Sequence, residues 1–364
     1  MGAGQSKERL VLLDGMRGIA AFAVIVDHVP SEPLRQLLSG RYLAVDFFFV
    51  LSGLVLAMAY SDMVKDRAGV ARFFKLRIIR LYPLYLLGLM IGMAVTLAFA
   101  LRGWGEVEPG SFVPSAISGV LFLPSPSTLG AVPPNDALFP FDGPAWSLFF
   151  ELVANAAWAI GALLVGARLR LGFLAICAVW VGVSVFHADL LGAGWLWSDF
   201  DVGLSRVLFS FFCGVAIHDL LAWRRIGKVP VLLPLALFLF ILAFPAPDAY
   251  RRGFDVFATL VLIPVTVYLA AQASIWRVAD GACRWLGQVS YGVYILHVPL
   301  FMGAGVVLAK LGTGQTFNVV FMAVFAALVT HAATVFYEVP LQRWLKKTFV
   351  GSRDSALRQH VQRP

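Results

Sequence analysis

The residues of this chain best suited to chemistry lie in its first apolar stretch, LDGMRGIAAFAVIVDH, from Leu13 to His28. Arg17 and His28 are eleven residues apart, which on a helix brings them within about 20° of each other and about 16 Å apart along the axis. Asp14 stands one turn before Arg17 and about 40° from His28 in projection, so an acid and a base mark one end of the stripe and an imidazole the other. Asp27 points about 100° away. Ionisable groups in hydrocarbon cost several kcal/mol unless they face protein or a watery cavity. Weighed against a snorkelling arginine and a hydrogen-bonded core histidine, the stripe is a functional-site candidate, with His28 suited to general-base work.

Such a stripe needs an apolar bundle around it. Of the 364 residues, 60% are hydrophobic and 14% charged, and the mean hydropathy is +0.81, values that exclude an ordinary soluble domain. Apolar runs predict ten helices, near 11–30, 42–60, 82–101, 145–166, 171–187, 202–221, 229–245, 254–273, 288–309 and 317–338. The expected fold class is all-α, a polytopic transmembrane bundle of about ten spans. Thirty Phe and ten Trp suit lipid-facing and interfacial positions. An even count puts both termini on one side, and placing them inside gives the inner segments 21 Lys and Arg against 6 outside. The termini are therefore expected to be cytoplasmic. The net charge of +8 is spread between spans, which argues for membrane orientation and against nucleic acid. Cys177, Cys213 and Cys283 have neither metal nor disulfide spacing and read as small core residues. The polar head before Leu10 has no clear cleavage site and reads as retained, and its MGAGQS is a chance match to an acylation pattern. Residues 102–144 form a Gly/Pro/Ser-rich loop whose apolar piece, 112–123, is too short to cross. It is expected to lie at the interface or fold back into the protein.

That topology sorts the polar residues by depth. Arg17 falls in the inner half of the first span and His28 near its outer end. Asp46 lies in the outer leaflet on the second span, and Glu151 about 9 Å below the start of the fourth, so three titratable groups share an outer level. FFKLRIIRLYPLY places Arg77 and Arg80 one turn apart on the inner side, where they are expected to gather with Arg17 into a cationic level. Arg206 is a further charge within a span. Polar stripes recur at Ser147, Glu151 and Asn155, at Ser290, Tyr294 and His297, and at His331, Thr334 and Glu338, each expected to face the bundle interior. Their Ser, Thr and Asn members read as interhelical hydrogen-bond glue.

In order along the chain, LDGMRGIAAFAVIVDH, GRYLAVDFFFVLSGLVL, FFKLRIIRLYPLY, GPAWSLFFELVANAAW, RVLFSFFCGVAIH, LGQVSYGVYILHVPL and FYEVPLQRWL resemble the segments of the acyltransferase-3 family of integral membrane acyltransferases. The resemblance covers essentially the whole chain. It implies transfer of acyl groups, most often acetyl, to sugar hydroxyls of surface polysaccharides, lipopolysaccharide, peptidoglycan or other glycosides. It also implies that His28 and Arg17 are essential and that Arg77 and Arg80 are the family's paired arginines. The expected organisation is the form without an extra hydrolase-like domain, with an acyltransferase-3-like transmembrane domain over 1–345 and a basic cytoplasmic tail over 346–364. The departures are small: Asp27 precedes His28 where many relatives have an aromatic or apolar residue, and Val45 follows Leu43-Ala44 rather than a glycine.

Residues and resemblance together give an expected mechanism. Acyl-CoA, acetyl-CoA first, is a cytoplasmic polyanion whose phosphates suit the guanidinium groups of Arg17, Arg77 and Arg80. Its pantetheine arm spans about the 16 Å between the levels of Arg17 and His28. His28 then takes the proton of a carbohydrate acceptor's hydroxyl, with Asp46 or Glu151 orienting the imidazole as the carboxylate of a triad does. A two-step route would acylate Ser52 or Tyr294, and the Trp146 indole N–H is a candidate oxyanion donor. Asp14, Asp27, Arg206 and His297 complete the candidate site residues, and no metal is expected, since no two histidines have ligand spacing on one helix. The expected partners are acyl-CoA, the acceptor and the lipid bilayer, and the expected location is the bacterial inner membrane. The rival from another class is a transporter or flippase for a glycolipid or similar solute, which also uses intramembrane charges. A third is a catalytically silent scaffold or sensor.

Overall fold

The computed structural model of the chain describes residues 10–29, 31–104, 109–126, 136–164, 167–187, 193–227 and 229–350. The polar head, the tail from 351 onward, and the turns at 127–135 lie outside the described residues. Among the described residues every regular element is helical: α1 Val11–Ile25, α2 Glu32–Leu37, α3 Ala44–Tyr60, α4 Arg67–Leu101, α5 Pro109–Val120, α6 Ala145–Leu164, α7 Ala167–His187, α8 Phe200–Trp223, α9 Leu232–Ala243, α10 Asp248–Phe257, α11 Ile263–Ala270, α12 Arg277–Lys310, α13 Gln315–Ala333 and α14 Val339–Phe349. Short π-helical turns, Ala258–Leu262 and Thr334–Glu338, join α10 to α11 and α13 to α14.

Seven of the resulting helical segments are long and apolar enough to cross a membrane. The other three expected runs are also helical, and two of them are shortened at prolines. The first run leaves the α-helix at Ile25 and makes a 3-10 turn, Val26–His28, because Val29, before Pro30, is extended at φ −112° and ψ 144°. The run at 229–245 is trimmed to Leu232–Ala243, with Phe244 extended before Pro245. The run at 171–187 is apolar over Leu169–Val185. In the opposite direction, the third run is part of a 35-residue helix that begins at Arg67 behind an Asp66 cap accepting from Gly69 N–H at 2.7 Å. Arg77 and Arg80 therefore lie on α4 itself.

Two close helix crossings hold the interior. Along α1 and α12, Gly15 meets Cys283 and Gly18 meets Leu286, while Gly287 of α12 faces Asp14. Between α3 and α8 the approach is closer: a Cβ on Gly53 would lie 1.9 Å from Phe211 O, and one on Gly214 2.0 Å from Val50 O. Small residues at such crossings let backbones touch where lipid offers no hydrophobic drive for association. The α3–α8 pair is also locked by charge. Arg206 Nη2 and Nε donate to Asp46 Oδ2 and Oδ1 at 2.7 and 3.1 Å, with Asp46 0% and Arg206 2% exposed. Arg206 Nη1 donates to Ala193 O at 2.7 Å.

The 102–144 loop folds back. Phe122, Leu138, Phe139 and Phe141 are buried, Phe122 stacks on Tyr85 with centroids 4.0 Å apart, and Leu138 N–H bonds Trp195 O at 2.9 Å. Gly92 of α4 permits the approach, since a Cβ there would lie 1.8 Å from Phe141 O. The returning segment thus fixes the start of α6.

Gly214→Ala is expected to destabilise the protein by about 1–3 kcal/mol or more through overpacking, read as a lower thermal midpoint in detergent; an unchanged midpoint would show that α3 and α8 are not in backbone contact. Asp46→Ala strands a buried guanidinium and is expected to cost about 3–5 kcal/mol. The Asp46→Leu/Arg206→Met pair should restore most of the midpoint, and it should keep activity if the pair is a staple. A stable but inactive double variant would instead give Asp46 a part in the chemistry.

Candidate active site

Each buried charge on these helices has found a partner, and the pairs outline a site. A cavity of about 160 Å³ is lined by Arg17, Arg77, Arg80, Glu151, Ser52 and Tyr294, with α1, α3, α4, α6 and α12 all contributing. Arg17 donates from Nε to Ser290 Oγ at 3.0 Å and from Nη2 to Gly287 O at 2.7 Å, and its Nη2 is 3.1 Å from Asp14 Oδ1. Arg77 donates to Glu151 Oε1, which also accepts from Ser52 Oγ at 2.6 Å. With the Asn155 amide turned to satisfy both of its ends, its oxygen accepts from Arg77 Nε at 3.2 Å. Arg80 donates to Glu338 and lies 5.5 Å over the Tyr291 ring.

The expected cationic level is therefore a set of three ion pairs, Asp14–Arg17, Glu151–Arg77 and Glu338–Arg80. The carboxylates hold the guanidinium groups in place, and each planar fork of five N–H groups has edges beyond the one its carboxylate uses. Glu338 reaches Arg80 because the π-turn rotates it inward. Pro340 has no N–H to close the ordinary α-helical bond, and Val339 N–H bonds back to Thr334 O instead. Gln342 Nε2, donating to Glu338 Oε1 at 2.8 Å and to Arg80 O at 3.1 Å, completes the clamp. Of that stripe, Thr334 and Glu338 are buried as expected, while His331 is exposed.

His28 is set apart from these carboxylates. The 3-10 turn at the end of α1 leaves it exposed, and its Nδ1 lies 3.1 Å from Nε2 of His297, midway along α12. Asp46 is bound to Arg206, and Glu151 is joined to Arg77 rather than to His28. Asp27 pairs with Arg41, while Arg35 donates to Val29 O at 3.0 Å, so the segment after α1 is strapped around His28. Between the cavity and the histidines stands Tyr294. Ser147 donates to Pro144 O at 3.0 Å, so the Tyr294 hydroxyl donates to Ser147 Oγ at 2.7 Å. The Tyr294 ring packs edge-on against Phe48, with centroids 5.4 Å apart. Trp146 lies under Arg206, 5.9 Å from its guanidinium carbon. Among the described residues no cluster of three metal-ligating side chains occurs.

The structure brings Arg17, Arg77, Arg80, Glu151, Ser52 and Tyr294 to one cavity; sequence reasoning gathers the three arginines but sets Glu151 at an outer level with His28 and Asp46, and it misses three further features. The Glu338–Gln342 clamp was half-visible as a stripe next to a proline. Arg35 and Arg41 gave no periodic signal, being in short helical turns. Asp142, in the turn before α6, is 1% exposed with neither carboxylate oxygen hydrogen-bonded, and burial pushes its carboxyl well above the usual carboxylate range. Nothing in the loop's polar composition distinguishes that aspartate from a solvated one.

Comparison with known proteins gives the same direction. "Protein 2 in picA locus" of Rhizobium radiobacter is 42% identical over 161 residues, 42% of this chain and 82% of that protein. "Acyltransferase MdmB" of Streptomyces mycarofaciens is 30% identical over 156 residues, 39% of this chain and 36% of that one. "O-acetyltransferase OatA" of Staphylococcus aureus is 35% identical over 89 residues, 24% and 14% of the two chains. No solved structure matches the chain. Residues 10–337 match the family described as an acyltransferase domain, and with nearly all the described helices inside that match, the chain belongs to the acyltransferase-3 family and is an O-acyltransferase.

Proposed function

We propose that the protein takes an acyl group, acetyl first, from cytoplasmic acyl-CoA and passes it to a sugar hydroxyl of a surface polysaccharide, lipopolysaccharide or other glycoside, with His28 as general base. One observation carries this reading: α1 holds a guanidinium in a cavity with two others, and the 3-10 turn that continues it ends in an exposed imidazole. The donor's phosphates would take the edges of Arg17, Arg77 and Arg80 that their carboxylates leave open. Its pantetheine arm would run along α1 past Tyr294. His28 would meet the acceptor from the opposite side, so the two substrates need not share an entrance.

The same reading gives the chain's setting. Ten helical runs with 21 of the 29 basic residues on one side favour ten spans with both termini cytoplasmic, in the inner membrane of a bacterium. Residues 1–345 would form the transmembrane acyltransferase unit and 346–364 a basic cytoplasmic tail. Direct transfer in a ternary complex requires no acyl-enzyme. Ser52, which donates its proton to a carboxylate already held by Arg77, is the nucleophile a two-step route would use.

The test is binding and turnover of radiolabelled acetyl-CoA by the purified protein in nanodiscs. Wild type should bind and consume it, His28→Ala should bind but lose about 10²–10⁴-fold in turnover, and Arg77→Gln should lose binding. Acetyl-CoA that neither binds nor reacts, with a glycolipid crossing liposome membranes in a His28-dependent way, would replace the enzyme by a flippase.

A further inference from the structure

The two histidines are 269 positions apart in sequence, yet His297 Nε2 faces His28 Nδ1 at 3.1 Å, with ring centroids 4.7 Å apart and planes at 72°. A neutral imidazole has one N–H and one lone pair, so one of the two facing nitrogens must donate and the other accept. The far side of His297 decides which. Its Nδ1 lies 2.6 Å from Tyr294 O, and a carbonyl has no proton to give, so His297 Nδ1 carries the hydrogen and Nε2 carries the lone pair. His28 Nδ1 must then donate, and its contact with Val24 O, 3.4 Å away, has the same sense. What remains on His28 is a bare Nε2. His297 is 0% exposed, and Phe301 packs on its ring with centroids 5.9 Å apart, so no water competes for the direction of the chain.

The geometry points to His297 as the positioning residue that fixes the tautomer of His28 and makes His28 Nε2 the base, a role that rests on the reading of His28 as general base. His28 Nε2 takes the proton of the acceptor hydroxyl as that oxygen bonds to the thioester carbonyl carbon. When the carbon–sulfur bond breaks, the same proton passes to the CoA thiolate, leaving an ester and a free thiol. While His28 holds the proton, its Nδ1–H bond to the neutral His297 becomes charge-assisted. The other charged groups facing the pair are Asp27, engaged by Arg41, together with Arg35 and Arg41 themselves.

The experiment compares wild type with His297→Leu, His297→Gln and His28→Gln in nanodiscs, reading acetyl-CoA hydrolysis across pH and the histidine nitrogen NMR signals of each. Leucine removes the acceptor and should lower kcat by about a hundredfold at unchanged KM for acetyl-CoA, with a displaced pH profile. Glutamine, whose Oε1 can accept from His28, should recover most of that loss. The His28 signals should report a single Nδ1–H tautomer in wild type and a mixture in His297→Leu. Wild-type kcat and pH profile in a well-folded His297→Leu, with His28→Gln inactive, would overturn the positioning role alone. A fully active His28→Gln would remove the general-base reading beneath it. If His297→Leu does not fold, the wild-type spectrum decides, since an Nε2–H tautomer of His28 would overturn the inference without any variant.

Discussion

The structure depends on the cost of placing charge among apolar helices. Several kcal/mol per unpaired ion is comparable to the net stability of a domain, so the arginines of the bundle interior are tied to carboxylates from other turns or other helices. Arg206 and Asp46 bind α8 to α3, Arg77 and Glu151 bind α4 to α6, Arg80 and Glu338 bind α4 to the π-turn before α14. These pairs fix the azimuth of each helix as well as its depth, because a buried pair tolerates little rotation. The cavity among α1, α3, α4, α6 and α12 is the space that this arrangement encloses.

The same constraint explains what the sequence disclosed. Apolar run length and the helical period located the helices that bear the site, and the eleven-residue interval from Arg17 to His28 placed a cation and an imidazole at opposite ends of one stripe. The pairing of charges between helices was not legible. Position along a span gives depth, while pairing depends on the mutual rotation of helices and on the reach of an arginine side chain, neither of which is encoded in one helix's periodicity. Hence Glu151, expected at the level of His28, is drawn to Arg77, and Asp46 to Arg206. Proline effects were legible in kind and missed in extent: Pro30 ends α1 in a 3-10 turn that presents His28, and Pro340 allows the π-turn that brings in Glu338.

Pairing also bears on how a polyanionic donor would bind. Three guanidinium groups with no counter-ions would repel one another and lose hydration in the empty cavity, a cost that falls on the protein whenever substrate is absent. With Asp14, Glu151 and Glu338 in place, the arginines are already oriented, and little side-chain entropy remains to be lost when phosphate arrives. On the proposed reading, affinity would then be set by the difference between a phosphate and the edges' previous solvation, which would favour release of spent CoA as much as capture of fresh acyl-CoA.

The histidine is treated differently from the arginines, and on the proposed reading the difference would suit a base that must give its proton back. A carboxylate against His28 would favour the imidazolium before any substrate arrived and so make the base hold its proton more tightly. Asp27 is the nearest acid in sequence, and it is spent on Arg41. The partner His28 has instead, His297, is neutral and anchored to a backbone carbonyl: it can direct a lone pair toward the acceptor without supplying a charge that would trap the proton. Orientation is thereby separated from electrostatic stabilisation.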